Sequence, residues 1–307
     1  MAKVYNANLE NLDGLSCLAG SSCAFGVFDG LHKGHVSLVE HAVAVAQEAG
    51  TASVVLTFSI DPDELFTGER LRKLMPNSRR IEALAQLGVD YVVVLPFTRA
   101  FAALAPEDFL GTVFAQPPAV LHVGRDFRFG NKAAGTVATL EEWGGAHGMR
   151  VCAHSLVEVG GAPVTATRIR ALLAQGAIQE ANELLSTPYS WEGTVEQGRQ
   201  QGRDLGFRTA NLNIPTPLFA LGEGVYGAYA HTPQGRYKAA VSVGAAPTFE
   251  DATATCEVHI IDFEGDLYGS TLRVEFRHWL RAMRKFSSID ELVETVMGNI
   301  QWCRDNL

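Results

Sequence analysis

The sequence predicts an α/β protein in two parts: an N-terminal doubly wound parallel sheet followed by a small C-terminal antiparallel β-barrel. Three observations lead there. In the first half, apolar β-rich runs alternate with helical patterns, as strands buried on both faces of a parallel sheet require. Beyond about residue 187 the helical patterns give way to short strands punctuated by glycine, the texture of a closed antiparallel barrel. The length, 307 residues of which 47% are hydrophobic and 19% charged, is enough to fill two cores.

The elements follow in order. Strands are expected at 22–27, 52–58, 91–95 and 120–123, where Val, Leu, Phe and Cys run together. Helices are expected at 36–49, 78–86, 106–114 and 140–147, where apolar residues recur with helical spacing. Two more helices, 168–174 and 178–185, complete the first half, and Ser186-Thr187-Pro188 marks the change of texture. The expected domains are therefore 1–185 and 186–307. In the second, strands are expected at 189–195, 210–214, 227–232, 237–243, 256–262 and 271–278, and a final helix, 289–303, covers one side.

Composition narrows the function classes. A net charge of −9 argues against a general nucleic-acid binder, which is usually basic. No apolar stretch is long enough to span a bilayer, and the first twelve residues lack a signal-peptide pattern, so no membrane partner is expected. The five cysteines are odd in number and contain no CxxC pair; they read as reduced, mostly buried thiols of a cytoplasmic protein. Oligomeric state is left open.

The decapeptide Gly26-Val27-Phe28-Asp29-Gly30-Leu31-His32-Lys33-Gly34-His35 carries the most functional information. It joins an apolar strand to a helix. Glycines there let the backbone approach a ligand, and the helix N-terminus favours a bound anion. His32 and His35 are three residues apart, so both imidazoles can face one side of the first turn and donate to phosphate oxygens. A glycine-rich turn with two solvated histidines would read the same way. A Walker-type loop is not expected, because no Gly-Lys-Ser/Thr follows a glycine-rich turn.

This decapeptide resembles the GxFDGxHxGH signature of the nucleotidylyltransferase superfamily. With both halves in view, the chain from about residue 22 to its end resembles the bifunctional prokaryotic riboflavin kinase/FAD synthetase family. The resemblance rests on 26–35; 123–130 with Gly135; Thr165-Ala166-Thr167-Arg168-Ile169-Arg170; 202–211; Gly224-Val225-Tyr226; Pro247-Thr248-Phe249; Glu257-Val258-His259; and Asp266-Leu267-Tyr268-Gly269, in the family's order. It implies a nucleotidylyltransferase domain that adenylylates FMN to FAD and a barrel that phosphorylates riboflavin to FMN. The small-molecule partners are riboflavin, FMN and ATP; Mg2+ arrives with ATP, and flavins are substrates and products.

Site residues follow from the same resemblance. Gly26, Phe28, Asp29, His32, Gly34 and His35 match positions that cradle ATP, and Thr165, Thr167 and Arg170 match the ISSTxxR phosphate segment. An N-cap threonine with a helix-surface arginine is the plainer reading of that segment. Phe58, Asp126, Phe127 and Phe129 match flavin-side positions, though core phenylalanines look alike in sequence. In the barrel, Thr209 and Asn211 match the PTAN metal ligands, and Glu257 the catalytic carboxylate. Gly198, Gly202 and Arg203 fall in the loop over the nucleotide, and Arg281 in the flavin-side RxExxF pattern.

Some positions depart from the family. The TFxPHP segment reads Thr57-Phe58-Ser59-Ile60-Asp61-Pro62, Ala166 replaces a serine, Arg208 replaces the PTAN proline, and Met283 stands where RxExxF has its acid. Two other readings therefore stay open. One head alone could be active, with adenylylation the more affected, or the chain could bind flavin or nucleotide without turnover.

Overall fold

The computed structural model describes residues 2–8, 15–66, 73–197, 207–213, 221–244 and 255–307. The chain forms two compact units, Met1–Ala166 and Thr167–Leu307.

The first unit is built on a six-stranded parallel sheet: β1 (Lys3–Asn6), β2 (Ser22–Phe25), β3 (Ser53–Phe58), β4 (Tyr91–Leu95), β5 (Val120–Gly124) and β6 (Arg150–His154). Their spatial order is β1-β4-β3-β2-β5-β6, so the winding reverses between β2 and β5. Ligands of such sheets bind beyond the C-terminal strand ends at that reversal. Strand β3, Ser-Val-Val-Leu-Thr-Phe, is buried at every residue, which is why it reads as a continuous apolar run. The edge strands β1 and β6 carry polar residues and side chains exposed or half-buried, and neither is expected from the sequence.

Helices α1 (Lys33–Ala49), α2 (Pro62–Phe66), α3 (Asn77–Ala85), α4 (Arg99–Ala102), α5 (Pro106–Val113) and α6 (Val137–Ala146) complete this unit. Two apolar layers result. Ala24, Val55 and Val92 of the sheet pack with Leu38, Val39 and Ala42 of α1 and Leu84 of α3. On the opposite layer Phe25, Phe58, Phe101, Phe109, Phe114 and Phe129 form an aromatic cluster. Helix α1 starts three residues before the expected position because His32 adopts extended backbone angles and caps it.

A short hairpin, β7 (Glu158–Val159) and β8 (Ala162–Pro163), closes the first unit. In the second unit, α7 (Ala166–Ala174) and α8 (Ile178–Leu184) precede β9 (Ser190–Glu196), β10 (Ala210–Asn213), β11 (Gly224–Thr232), β12 (Gly235–Gly244), β13 (Thr255–Ile260) and β14 (Thr271–Arg281). These strands close into an antiparallel barrel in the order β10-β13-β12-β11-β14-β9, capped by α9 (Ile289–Asn306). Asn182 ties α8 to the barrel: its amide donates to the Phe276 carbonyl at 2.9 Å and its oxygen accepts from Tyr189 N at 2.8 Å. Cys23, Cys256 and Cys303 are buried, and Cys17 and Cys152 half-buried. Among the described residues, no helix is long and apolar enough to cross a membrane.

Candidate active sites

In the first unit the decapeptide leaves β2 at the reversal point. Its turn is tight: Phe28, Gly30 and Leu31 all have positive φ (61°, 71° and 41°). A Cβ at Gly30 would lie 2.8 Å from Leu74 Cβ, so this left-handed position admits glycine alone without rearrangement. Asp29 is buried, and both of its carboxylate oxygens accept from the Leu74 backbone N–H, at 3.0 and 3.2 Å. It therefore pins the turn to the chain entering α3.

His32 and His35 come together as expected. Their rings stack with centroids 3.5 Å apart, and Phe28 meets His35 edge-on at 5.3 Å. The His35 N–H donates to His32 Nδ1 at 3.4 Å, which leaves the His32 proton on Nε2. His35 Nδ1 is buried with no hydrogen-bond partner among the described residues. Burial pushes the His32 pKa down to about 4, and burial, with His32 and Arg80 nearby, pushes His35 well below its ordinary value. Both imidazoles are neutral at neutral pH, each with one N–H to offer an anion.

Gly26 and Gly34 lie against these rings: a Cβ at Gly26 would meet Phe28 at 3.1 Å, and one at Gly34 would meet His32 at 3.3 Å. Just beyond the end of the neighbouring β5, the exposed Asp126 lies close enough to act electrostatically on His32. The flavin-side phenylalanines divide. Phe58 and Phe129 are buried in the aromatic cluster, whereas Phe127 is half-buried, 5.0 Å from Phe25. Thr165 precedes α7, while Thr167 and Arg170 lie on it, in the second unit.

The Ile60-Asp61-Pro62 departure builds a helix start. Asp61 Oδ1 accepts from Asp63 N at 3.0 Å, and Glu64 Oε1 accepts from Asp61 N at 2.8 Å, a reciprocal cap ahead of α2. Burial, with Asp29, Asp63 and Glu64 nearby, pushes the Asp61 carboxyl up to about 6. Glu64 also pairs with the buried Lys73.

Sequence reasoning missed Arg80. Its side chain is buried, and its guanidinium donates to the carbonyl of Val27, to Thr57 Oγ1 at 2.5 Å, to the Phe58 carbonyl at 2.7 Å and to Asn77 Oδ1 at 3.2 Å. The available signal was a cation on the face of α3 that carries Leu84 into the core.

In the second unit, strand register assembles a row around the barrel. Asn211 pairs with Glu196 on one side and Glu257 on the other; Glu257 pairs with Ser242, Ser242 with Val225, and Val225 with Arg281. Leu212, Val241, Val243, Cys256 and Val258 beside the row are buried in the barrel, whereas Asn211, Ser242, Glu257 and Arg281 on the alternate positions are half-buried. The expected residues Asn211, Glu257 and Arg281 thus share one belt, and Ser242, which no motif marks, stands between them. Its hydroxyl reaches Met283 Sδ at 3.6 Å. Arg281 donates to Asn299 Oδ1 of α9 at 3.0 Å and lies over Phe286.

Thr209 is half-buried just before β10, and the exposed Arg208 presents its backbone carbonyl to His259 Nδ1 at 2.8 Å. Gly198, Gly202 and Arg203, and the motif at 247–249, lie outside the described residues.

One unit offers neutral imidazole donors at a sheet reversal, and the other aligns amide, carboxylate and hydroxyl oxygens on a barrel wall. Together they define a two-module transferase of phosphorus groups. Known proteins bear this out. The family model for FAD synthetase matches residues 15–168 and that for riboflavin kinase matches 185–307. A bifunctional riboflavin kinase/FMN adenylyltransferase of Listeria monocytogenes is 30% identical over 278 residues, spanning 88% of this chain and 87% of its own. The Bacillus subtilis protein of the same name is 31% identical over 286 residues, 91% of this chain and 90% of its own. A Streptococcus pneumoniae crystal structure named as a macrolide-efflux protein superposes with a TM-score of 0.83 at 31% identity, covering 94% and 95% of the two chains. The chain belongs to the bifunctional riboflavin kinase/FMN adenylyltransferase family.

Proposed function

We propose that the barrel unit phosphorylates riboflavin to FMN and that the sheet unit adenylylates FMN to FAD. The observation that carries the reading is the presence in one chain of the stacked His32–His35 pair at the sheet reversal and of Asn211 beside Glu257 on the barrel.

In the barrel, Glu257 accepts the proton of the riboflavin ribityl hydroxyl as that oxygen attacks the γ-phosphorus of ATP and ADP leaves. Asn211 and Thr209 are hard oxygen donors of the kind Mg2+ takes alongside nucleotide phosphates, and the pairing of Asn211 with Glu257 fits that ion. When bound, Mg2+ would neutralise charge on the transferring phosphoryl group. Arg281 flanks the flavin.

In the sheet unit, an FMN phosphate oxygen attacks the α-phosphorus of ATP and pyrophosphate leaves. No covalent enzyme intermediate is needed, so the protein contributes positioning and charge stabilisation. His32 and His35 donate to the phosphates, the turn at Gly26, Phe28, Asp29 and Gly34 shapes the cradle, and Thr165 acts as a further phosphate donor. Phe127 and Asp126 meet the flavin, with Phe58 and Phe129 supporting them from the core.

The test is product analysis. The purified chain with riboflavin, ATP and magnesium should yield FMN and then FAD, and with FMN it should yield FAD and pyrophosphate. Flavin binding with neither product would overturn the reading; FAD absent from FMN alone would reduce it to a single active head.

A further inference from the structure

We infer that Arg80 is a positioning residue for adenylyl transfer: it fixes the shape of the phosphate-binding turn and places a permanent positive charge behind the two imidazoles. The inference rests on the proposed role of the sheet unit and adds a residue to it.

Position is the first argument. Arg80 lies on α3, which is not part of the decapeptide, yet its guanidinium bridges the ends of the two central strands. It holds Val27, the second residue of the decapeptide, together with Thr57 and Phe58 at the end of β3. Thr57 Oγ1 also donates to the Val27 carbonyl at 3.3 Å, so a guanidinium and a hydroxyl close on one carbonyl oxygen of the turn. A planar fork does this well, because its donors are fixed relative to one another; an ammonium group offers the charge without the span.

Charge is the second argument. Arg80 is 2% exposed, and among the described residues no carboxylate lies within 4 Å of it. A cation buried with hydrogen bonds but no ion pair is costly to hold and is best compensated by an anion arriving nearby. Asp29, Asp61 and Glu64 attract it from a distance. Its field already reaches His35, whose basicity it lowers, so it acts where the phosphates are proposed to lie. Its guanidinium is held by Val27, Thr57, Phe58 and Asn77, which assigns its action to the turn and to its field.

The experiment compares Arg80→Lys, Arg80→Met and His35→Ala in the full chain, measuring both activities. For FMN adenylylation, Arg80→Met should raise the KM for ATP about tenfold and lower kcat about 100-fold, the scale of one lost preorganised donor. Arg80→Lys keeps the charge and loses the fork, so its KM for ATP should stay near wild type while kcat falls about tenfold. Riboflavin phosphorylation by the same preparations should be unchanged. Should Arg80→Met lose the helical circular-dichroism signal of a folded sheet unit, the lysine variant decides alone, by the same split. Wild-type kinetics in the lysine variant, or equal losses of KM and kcat in both variants, would overturn the inference. His35→Ala separates the two levels: if it leaves FAD formation intact, the proposed site fails; if it abolishes FAD formation while both Arg80 variants turn over normally, only the role of Arg80 fails.

Discussion

The His32 and His35 rings are stacked 18° from parallel, 3.5 Å apart, and two imidazolium ions cannot occupy that geometry together. The pair must meet an anion as neutral N–H donors. Replacing either residue with alanine should lower FMN adenylylation by about 100-fold or more, while leaving riboflavin phosphorylation at the wild-type rate. Because His32 titrates at about 4 rather than 6.5, no loss of adenylylation should arise from this pair between pH 7 and 5.5. A pH–rate profile from FMN that falls with a midpoint near 6.5, and loses that limb in His32→Ala, would refute neutral donation.

On the barrel, Glu257 is flanked in register by Asn211 and Ser242, so three oxygen-bearing side chains lie in one line. Glu257→Gln should cut riboflavin phosphorylation by about 100-fold or more with little change in KM, since a lost base acts in the transition state. Asn211→Ala should instead raise the magnesium concentration needed for half-maximal rate. Ser242→Ala should cost less than either, because its hydroxyl already has Met283 as a partner. Steady-state kinetics with riboflavin and a magnesium titration distinguish the three.

Which of these features sequence could reveal follows from how each is encoded. Strands β3, β4 and β5 are contiguous β-branched and apolar runs, visible because both faces are buried. Strands β1 (Lys-Val-Tyr-Asn) and β6 (Arg-Val-Cys-Ala-His) are edges with solvent on one side, so they carry no such run. The histidine pair is local in sequence, three residues apart on one turn, and was legible from spacing. The belt of Asn211, Glu257, Ser242 and Arg281 comes from four strands, and register between distant strands is not written in any one of them. Arg80 was hidden for another reason: an arginine in a helical pattern reads as surface, and only the carbonyls it meets make it a core residue.

Asp61 illustrates how a departure from the family pattern changes local physics. As the cap of α2 it is structurally useful, and asparagine caps equally well, so Asp61→Asn removes charge with little cost in stability. Asp61 lies close enough to Asp29 of the decapeptide to be affected by its charge, and a carboxylate there repels a triphosphate arriving at the proposed cradle. With the group titrating at about 6, wild type carries that charge at pH 8 and has largely lost it at pH 5. Asp61→Asn should therefore lower the KM for ATP in FMN adenylylation severalfold at pH 8 and leave it unchanged at pH 5. An equal effect at both pH values would show that the charge is not what the substitution removes.

A second histidine cluster should make the sheet unit sensitive to acid. His122 on β5 is buried, accepts or shares a proton with Ser22 Oγ at 3.1 Å through Nε2, and meets His154 Nε2 at 2.9 Å through Nδ1; His41 of α1 lies 4.9 Å from the His154 ring. Burial, with His154, Arg150 and His41 nearby, pushes His122 down to about 4, and burial with His41 lowers His154. These groups are more basic in the unfolded chain, where the ordinary value is about 6.5. Between about pH 6.5 and 4 the unfolded state therefore binds more protons, and stability falls as pH falls through that window. Each such imidazole contributes a slope of at most about 1.4 kcal/mol per pH unit, and His32 adds to the same trend while Asp61, titrating upward, opposes it. His122→Asn removes one group from the sum at some cost in packing. Urea unfolding followed by circular dichroism from pH 7.5 to 4.5 should show wild type losing stability steeply below 6.5 and His122→Asn losing it with a shallower slope. Parallel slopes for the two proteins would mean that His122 is not a group that must charge on unfolding.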